Sequence, residues 1–464
     1  MVMWDKRIRT VLKPQAEIRL SDGINTYNSP FEIKKSECAS CLNVSNRNYP
    51  ALSTRPGSTA MYGTAAAPLT TVNAAGIRAG TTFHVQDGTA WKYWNGSAFA
   101  NVATGLTNAM GKFIEFNTAA NTYTILANGT EVSYSTNGTS AATLTGAPAT
   151  NLYCMDDERL YALKGNKLYR CAIGIPTDWT TINDAGIWTI ANLVGGTGTA
   201  LAAYGDMVIS WSESSMHILM GDDHTNYQFM DMIDAGCISD RSVIIHNGVL
   251  YFMDYNQFKM FTGGMPRDIS QKVSTYLSNI NYTYKTQIVA DKWGRYIYLS
   301  IPHGSTATAN NLTLEYDTEL QTWHVWDIGF TTFVTISQDL YGITVSGTVK
   351  KLQQGTIDDA TAITWEWVTG VWDGTPVRQS KVISDIWAVV DLPVGSTLNV
   401  SYSTETTGTS FTSLYDFTAT TTVQNTRIQI PTSILQNIPW YRLKLSGVGH
   451  CIVHVLEPQI RIKP

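Results

Sequence analysis

The chain carries six cysteines, Cys38, Cys41, Cys154, Cys171, Cys237 and Cys451, and eight histidines, His84, His217, His224, His246, His303, His324, His450 and His454. Only Cys38 and Cys41 stand at ligand spacing. A zinc site needs a second such pair or histidines that this neighbourhood lacks, so buried, reduced thiols are the expectation and no metal is assigned. His450 and His454 are four apart. In a strand that spacing puts both on one face about 13 Å from each other, too far to share an ion. Structural or surface roles are expected for all eight.

Glycosidase chemistry needs two carboxyl groups about 5 to 10 Å apart. Asp156, Asp157 and Glu158, like Asp222 and Asp223, are adjacent in sequence and read as solvated turns. Sialidase-type Ser-x-Asp-x-Gly-x-x-Trp turns have no good copy, and Ser403-Thr404-Glu405 with Gly408 reads as a polar hairpin. Val194-Gly195-Gly196-Thr197-Gly198 lacks the Lys-Ser/Thr of a phosphate loop. Stacked Trp and Tyr could hold single strands or sugars. Their positions inside alternating runs assign them instead to packing between sheets. No catalytic, cofactor-binding or metal residue is therefore assigned, no cofactor is expected, and the chain reads as a protein that is not an enzyme.

The elements around these residues follow from composition and period. The 464 residues fit three average domains, or equally one large β domain with an appendage. Lys and Arg number 32 and Asp and Glu 37, a net charge of −5, which speaks against a dedicated nucleic-acid reader. Hydrophobic residues are 44% and charged residues 15%, which is not a disordered composition. Trp (14), Tyr (23) and about 60 Thr favour pleated, half-buried surfaces. No run approaches the ~18 apolar residues of a membrane helix, so no membrane span is expected. Met1 to Leu20 has no central apolar block of the kind a secretory signal needs, which places synthesis in the cytosol of the producing cell.

From about Gly57 to Gly355, short alternating runs recur between Gly, Asn and Asp turns at a spacing of roughly 40 residues. Thr82-Phe83-His84-Val85, Asp87-Gly88, Ala90-Trp91-Lys92-Tyr93-Trp94 and Asn95-Gly96 make the first clear hairpin series. Similar series start near Lys112, Asn151, Leu201, Ser242 and Thr286, and a shorter one starts near Phe333. About seven such units fit, and stacking them radially buries both faces of each sheet. After Gly355 the strands lengthen. In Trp440-Tyr441-Arg442-Leu443-Lys444-Leu445, Tyr441, Leu443 and Leu445 share a buried face and Arg442 and Lys444 a wet one. The expected fold is all-β: a roughly seven-bladed β-propeller over 58–355 and a β-sandwich-like platform domain over 356–464. Residues 1–57 read as an extended segment that either docks on the C-terminal domain or reaches a neighbouring subunit.

Asp22-Gly23-Ile24-Asn25-Thr26, Asn43-Val44 and Leu52-Ser53-Thr54-Arg55-Pro56-Gly57 resemble the start of β-propeller tail proteins of tailed bacteriophages. Arg159-Leu160-Tyr161, Asn166-Lys167-Leu168-Tyr169, Pro176-Thr177-Asp178-Trp179, Glu315-Tyr316-Asp317 and Trp323-His324-Val325-Trp326 are similar to blades of those proteins. Trp365-Glu366-Trp367-Val368-Thr369-Gly370 and the stretch from Trp440-Tyr441-Arg442 to Gly447 extend the likeness. The resemblance implies a structural virion protein, a tail nozzle or tail hub of a short-tailed phage, also described as a packaged-DNA stabilisation protein. Its partners would be further copies of itself in a ring, a hexamer in the family, together with portal, adaptor and other tail proteins. Double-stranded DNA would pass transiently through the lumen at ejection. The protein would be made in the cytoplasm of the infected bacterium and reside in the virion tail. A slightly acidic, low-charge conduit suits the release of a polyanion, since each neutralised phosphate would retard passage. The alternative is a receptor- or carbohydrate-binding tail protein that uses an aromatic pocket at the propeller face.

Overall fold

Alternation with a period of two, interrupted by residues that tolerate positive φ, dictates hairpins. Asn247 (φ 50°) and Gly248 (φ 73°) show this directly, turning Ile244–His246 back into Val249–Asp254. The structure, a computed structural model, describes residues 13–14, 17–61, 68–191, 193, 196–221, 226–230, 232–373, 380–432 and 435–462. Those residues form two compact units. One takes its residues from Met1–Ser58, Glu315–Asp327 and Gln353–Pro464, the other from Thr59–Leu314 and Ile328–Leu352. The expected boundary at 355 is thus crossed once, because Glu315–Asp327 counts with the sandwich and not with the blades around it.

Seven antiparallel sheets follow one another along the chain, at 72–104, 112–143, 153–189, 200–229, 244–268, 289–326 and 330–352. They are blades one to seven. Their innermost strands are neighbours in succession, except that Ala200–Tyr204 of blade four meets blade five through the turn Asp240–Ser242, and Phe330–Ile336 of the seventh lies beside Val72–Arg78 of the first, so the ring closes. Apolar faces stack between blades, as sheets with two apolar faces require. Ile114, Phe116 and Ile125 of blade two pack with Tyr153, Leu160 and Ala162 of blade three. Ile209, Trp211 and Ile218 of blade four meet Leu250, Phe252 and Phe261 of blade five. Val334, Ile336 and Ile343 of blade seven meet Phe83 and Val85 of blade one. Each such large side chain contributes about 1.5–3 kcal/mol by burial. The seventh sheet has only three strands from its own stretch of chain. Ser58–Ala60 adds beside Val349–Leu352, and the Met61 N–H donates to the Val349 carbonyl at 2.9 Å.

Blades seven and one are also tied by the Leu69 N–H, which donates to the Gly347 carbonyl at 3.1 Å. Gly347 has φ +81°, and a Cβ there would fall 1.7 Å from the Leu69 carbonyl oxygen. Gly347→Ala is expected to cost about 2–4 kcal/mol by strain and backbone collision. Gly165→Ala, at φ +61° with open space around it, should cost about 1 kcal/mol. Denaturant midpoints of the two variants check this, and equal losses would count against it.

In the other unit two antiparallel sheets form the sandwich. One has the order Val44–Ser45, Leu52–Thr54, Ile452–Ile462, Lys381–Leu392, Val423–Ile430, and the other Cys38–Leu42, Thr364–Thr369, Arg442–Val448, Thr397–Ser403, Thr412–Thr418. Lys13–Pro14 and Gln436–Ile438 also join the first sheet, beside Ile452–Ile462 and Lys381–Leu392, so four of the twelve strands come from the N-terminal segment. Ile386, Ala388, Val390, Leu392, Leu443 and Leu445 are fully buried at alternate positions. Arg442 departs from the expectation of a wet face. It is only 6% exposed, because its guanidinium donates to the Gly408 and Thr369 carbonyls and lies 5.6 Å from the Phe411 ring centre, covered by the loop that follows Thr397–Ser403.

Candidate functional site

Ringed strands leave an axial channel. Lys112, Phe113, Tyr153, Cys154, Leu201 and Ala202, from the innermost strands of blades two to four, line a cavity of about 330 Å³. A second cavity of about 210 Å³ lies where the innermost strands begin, with Asn151, Thr199, Glu213, Asp240, Arg241 and Lys285 in its wall and no aromatic side chain. Its charges are arranged in pairs. Lys112 Nζ lies 2.8 Å from Asp240 Oδ2, Asp240 Oδ1 accepts the Leu201 N–H at 2.9 Å, and Lys285 Nζ lies 2.6 Å from Glu213 Oε1. Arg241, entering blade five, donates to the Thr331 carbonyl at the start of blade seven and approaches Met110 Sδ, ahead of blade two, at 4.0 Å. A side chain that reaches both of those blades from the fifth crosses the axis. Burial lowers its pKa to about 10, against the opposing charge of Asp240.

The carboxylates singled out by spacing do not assemble. Asp157 (φ 43°) and Glu158 (φ 55°) form the turn between Tyr153–Asp156 and Arg159–Lys164. Asp156 is raised to about 6, by burial first and then by the charges of Asp157 and Asp206. Asp291, also raised to about 6 by burial, is on blade six, three blades away around the ring. Asp222, Asp223, His224, Val194, Gly195 and the chain up to residue 12 lie outside the described residues.

The histidines are dispersed. His84 accepts from Trp91 Nε1 at 2.9 Å, His217 meets Ser215 Oγ at 3.2 Å, and His450 meets Thr54 Oγ1 at 2.9 Å. His450 precedes the strand Ile452–Ile462 and is not in it, so the expectation of two histidines on one strand face does not hold. His454 pairs with Asp391 at 3.0 Å. All six cysteines are buried and free, and burial pushes the thiols of Cys171 and Cys237 up to about 11 and about 12. Among the described residues no group of three or more His, Cys, Asp or Glu is placed to hold a metal ion. Trp91, Trp211, Trp323, Trp326, Trp365 and Trp367 are fully buried in the sheets. Ser403 Oγ accepts the Glu405 N–H at 3.1 Å, a local polar turn.

Of the motif residues that carry the phage resemblance, those of 22–57, 315–326 and 365–370 lie in the sandwich unit, where several meet, whereas those of 159–179 lie in blade three. Asn43 sits at φ 55°, and its Oδ1 accepts from Arg55 Nε at 2.9 Å and from the Asp327 N–H at 3.2 Å, while its Nδ2 donates to the Thr364 carbonyl at 2.8 Å. Arg55 forms a fork on Asp358, at 3.2 Å to Oδ1 and 2.6 Å to Oδ2, and its guanidinium carbon lies 5.3 Å from the Trp326 ring centre. Ser58 Oγ adds a third bond to the same carboxylate at 2.8 Å. Gly57 passes so close to Ile357 that a Cβ would lie 1.9 Å from its carbonyl oxygen. The Ile24 N–H donates to the Trp323 carbonyl at 2.9 Å, and Glu315 accepts from Ser45 Oγ at 2.7 Å and Arg47 Nη2 at 2.8 Å. Sequence reasoning missed Asp358 and Arg241. Neither stands in a recognisable motif, and each looks like an ordinary turn residue in sequence.

No family model and no curated protein matches the chain. Among solved structures it is similar to a streptogramin B lyase (9% identity, 64% of this chain and 96% of that one, TM-score 0.42). It is also similar to BamB from Moraxella catarrhalis (11% identity, 74% and 98%, TM-score 0.41) and to the extracellular domain of the hybrid two component system BT3049 from B. thetaiotaomicron (9% identity, 82% and 50%, TM-score 0.48). The fold itself is defined by the closed ring of seven sheets: the chain is a β-propeller with a β-sandwich.

Proposed function

We propose that this chain is a non-enzymatic structural subunit of a bacteriophage tail. Copies form a ring below portal and adaptor that retains the genome and then conducts it. The observation that carries the reading is the convergence of Asn43, Arg55, Gly57, Glu315 and Trp326 on one set of buried architectural contacts. These five of the residues that carry the resemblance are thus ones that fix the shape of a building block. The crossing of the propeller axis by Arg241 agrees with it. A duplex, whose major groove alone is about 12 Å wide, would travel between copies and not through a single propeller. Ring closure needs head-to-tail contacts between unlike surfaces. The receptor-binding alternative would want an aromatic platform at the propeller mouth; the smaller axial cavity has no aromatic side chain, and the larger one has Phe113 and Tyr153.

Mass photometry and negative-stain imaging of the purified chain, alone and with portal and adaptor, test the proposal. Closed rings are expected on addition of the adaptor, with a mass that exceeds the adaptor's own by an integral multiple of 51.1 kDa. A chain that stays monomeric with portal and adaptor, and binds glycans on an array, would overturn it in favour of a receptor-binding protein.

A further inference from the structure

The connection between the third and fourth strands of blade three, residues 171–185, carries a run of exposed isoleucines. Ile173, Ile175 and Ile182 are 51%, 49% and 85% exposed, and Ile187, in the strand Gly186–Thr189 that follows, is 58% exposed. The loop holds them in place. The Ile173 N–H donates to Asp184 Oδ1 at 3.2 Å, the Gly174 N–H donates to the Glu158 carbonyl at 2.8 Å, and Trp179 packs edge-on against Tyr153 with ring centres 6.1 Å apart. Single exposed apolar residues are ordinary, but four on one short stretch expose on the order of 400 Å², about half of the ~800 Å² that each partner of a stable protein contact covers. The side chains are aliphatic and offer a sugar no ring to stack on, so the surface fits a protein. Glu158 stands beside them, its Oε2 4.0 Å from the position of a Cβ on Gly174, and among the described residues its carboxylate has neither an ion pair nor a hydrogen bond.

The equivalent connection of blade five, residues 262–266, joins its third strand to its fourth and so lies at the same end of the propeller. It presents Met265, 70% exposed, and directly after it Arg267, an exposed guanidinium with neither an ion pair nor a hydrogen bond among the described residues. A thioether chain moulds itself to an irregular apolar surface, and a guanidinium matches a carboxylate in a fork. The two faces are unlike and stand two blades apart on a closed ring, so they meet only between copies. Such a contact is head-to-tail, the kind that repeats into a ring. We infer that the 171–187 face of blade three docks on the blade-five turn 262–267 of a second copy, with Met265 among the isoleucines and Arg267 on Glu158. The inference rests on the proposed ring and names the surfaces that build it.

Mass photometry of the full-length chain with portal and adaptor, over a series of concentrations, tests it. Ile182→Asp, Glu158→Lys and Arg267→Glu should each raise the concentration at which rings appear about tenfold or more, and Glu158→Lys combined with Arg267→Glu should recover most of that loss. All three side chains are exposed, so melting temperatures equal to the parent's are expected and show that the variants fold. A bismaleimide gives a second reading that needs no ring. The six native cysteines are buried, and copies with Ile182→Cys mixed with copies with Met265→Cys should link into dimers, whereas neither variant should link to itself. Rings that form equally well in all three variants, or copies with Ile182→Cys that link to one another, would overturn the inference and leave the ring standing. Loss of adaptor binding in Ile182→Asp, with no mixed cross-link, would assign the face to the adaptor instead. A parent that stays monomeric with portal and adaptor counts against the ring itself, and the mixed cross-link then decides whether the two faces meet at all.

Discussion

Arg55→Ala is expected to lower the stability of the sandwich unit by about 3–5 kcal/mol, the range found when one partner of a buried ion pair is removed. The Arg55 side chain is 4% exposed and that of Asp358 19%. Truncation would take both guanidinium bonds from the Asp358 carboxylate, and Asn43 Oδ1 would lose its bond from Arg55 Nε. The Trp326 ring would lose the cation against its face. Replacing both partners by apolar residues, as in Arg55→Met with Asp358→Leu, should recover much of the loss, since it removes the stranded charge. Guanidinium denaturation followed by Trp fluorescence reads both. A single variant within 1 kcal/mol of the parent, or a double variant no better than the single, would remove the clamp from the account.

Acid should weaken both units through two buried imidazoles. His324 is fully buried, with no hydrogen-bond partner at either ring nitrogen among the described residues. Burial lowers its pKa from 6.5 to about 4, with Glu315 and Asp317 opposing the shift and Arg47 adding to it. His84 in blade one is lowered to about 4 by burial and then by Arg78. Between those values the unfolded chain binds more protons than the folded one. The stabilisation is therefore complete above pH 6.5, declines as pH falls, and is gone near pH 4. At 1.36 kcal/mol per pKa unit, each histidine accounts for about 3 kcal/mol over that window. Denaturant midpoints between pH 7.5 and 4.5 should fall accordingly, and His324→Phe, which cannot titrate, should flatten the decline of the sandwich transition. An unchanged slope in that variant would mean that other groups control the acid response.

Sheets were legible in the sequence wherever alternation ran between strong turn residues, as at Ile244–His246 and Val249–Asp254 around Asn247-Gly248. Elements were hidden where burial does not alternate. Thr412–Thr418 is an edge strand, largely exposed, and therefore lacks a binary pattern. Ser58–Ala60 is three small residues whose partners lie hundreds of positions away. The wet face expected at Arg442 failed because a strand's period says nothing of a loop folded over it. At the candidate sites the quoted motif residues were visible as types, but their meeting was not. Arg55 stands out beside Pro56 and Gly57, whereas its partner Asp358 has neighbours that announce nothing. Arg241, in Ser239-Asp240-Arg241-Ser242, has the local look of a surface turn, and only closure of the ring puts it on the axis.

The borrowed fourth strand of blade seven sets a timetable for synthesis. Ser58–Ala60 leaves the ribosome early, but Val349–Leu352, against which it lies, follows roughly 290 residues later. At about 5–20 residues per second the nascent chain spends some 15–60 s with Ser58–Ala60 made and the strand it pairs with not yet synthesised. During translation, then, the protein is a growing row of sheets whose latch, Ser58–Ala60, is made first and closes last, and proteases or a sister chain compete for that segment until the ring is complete.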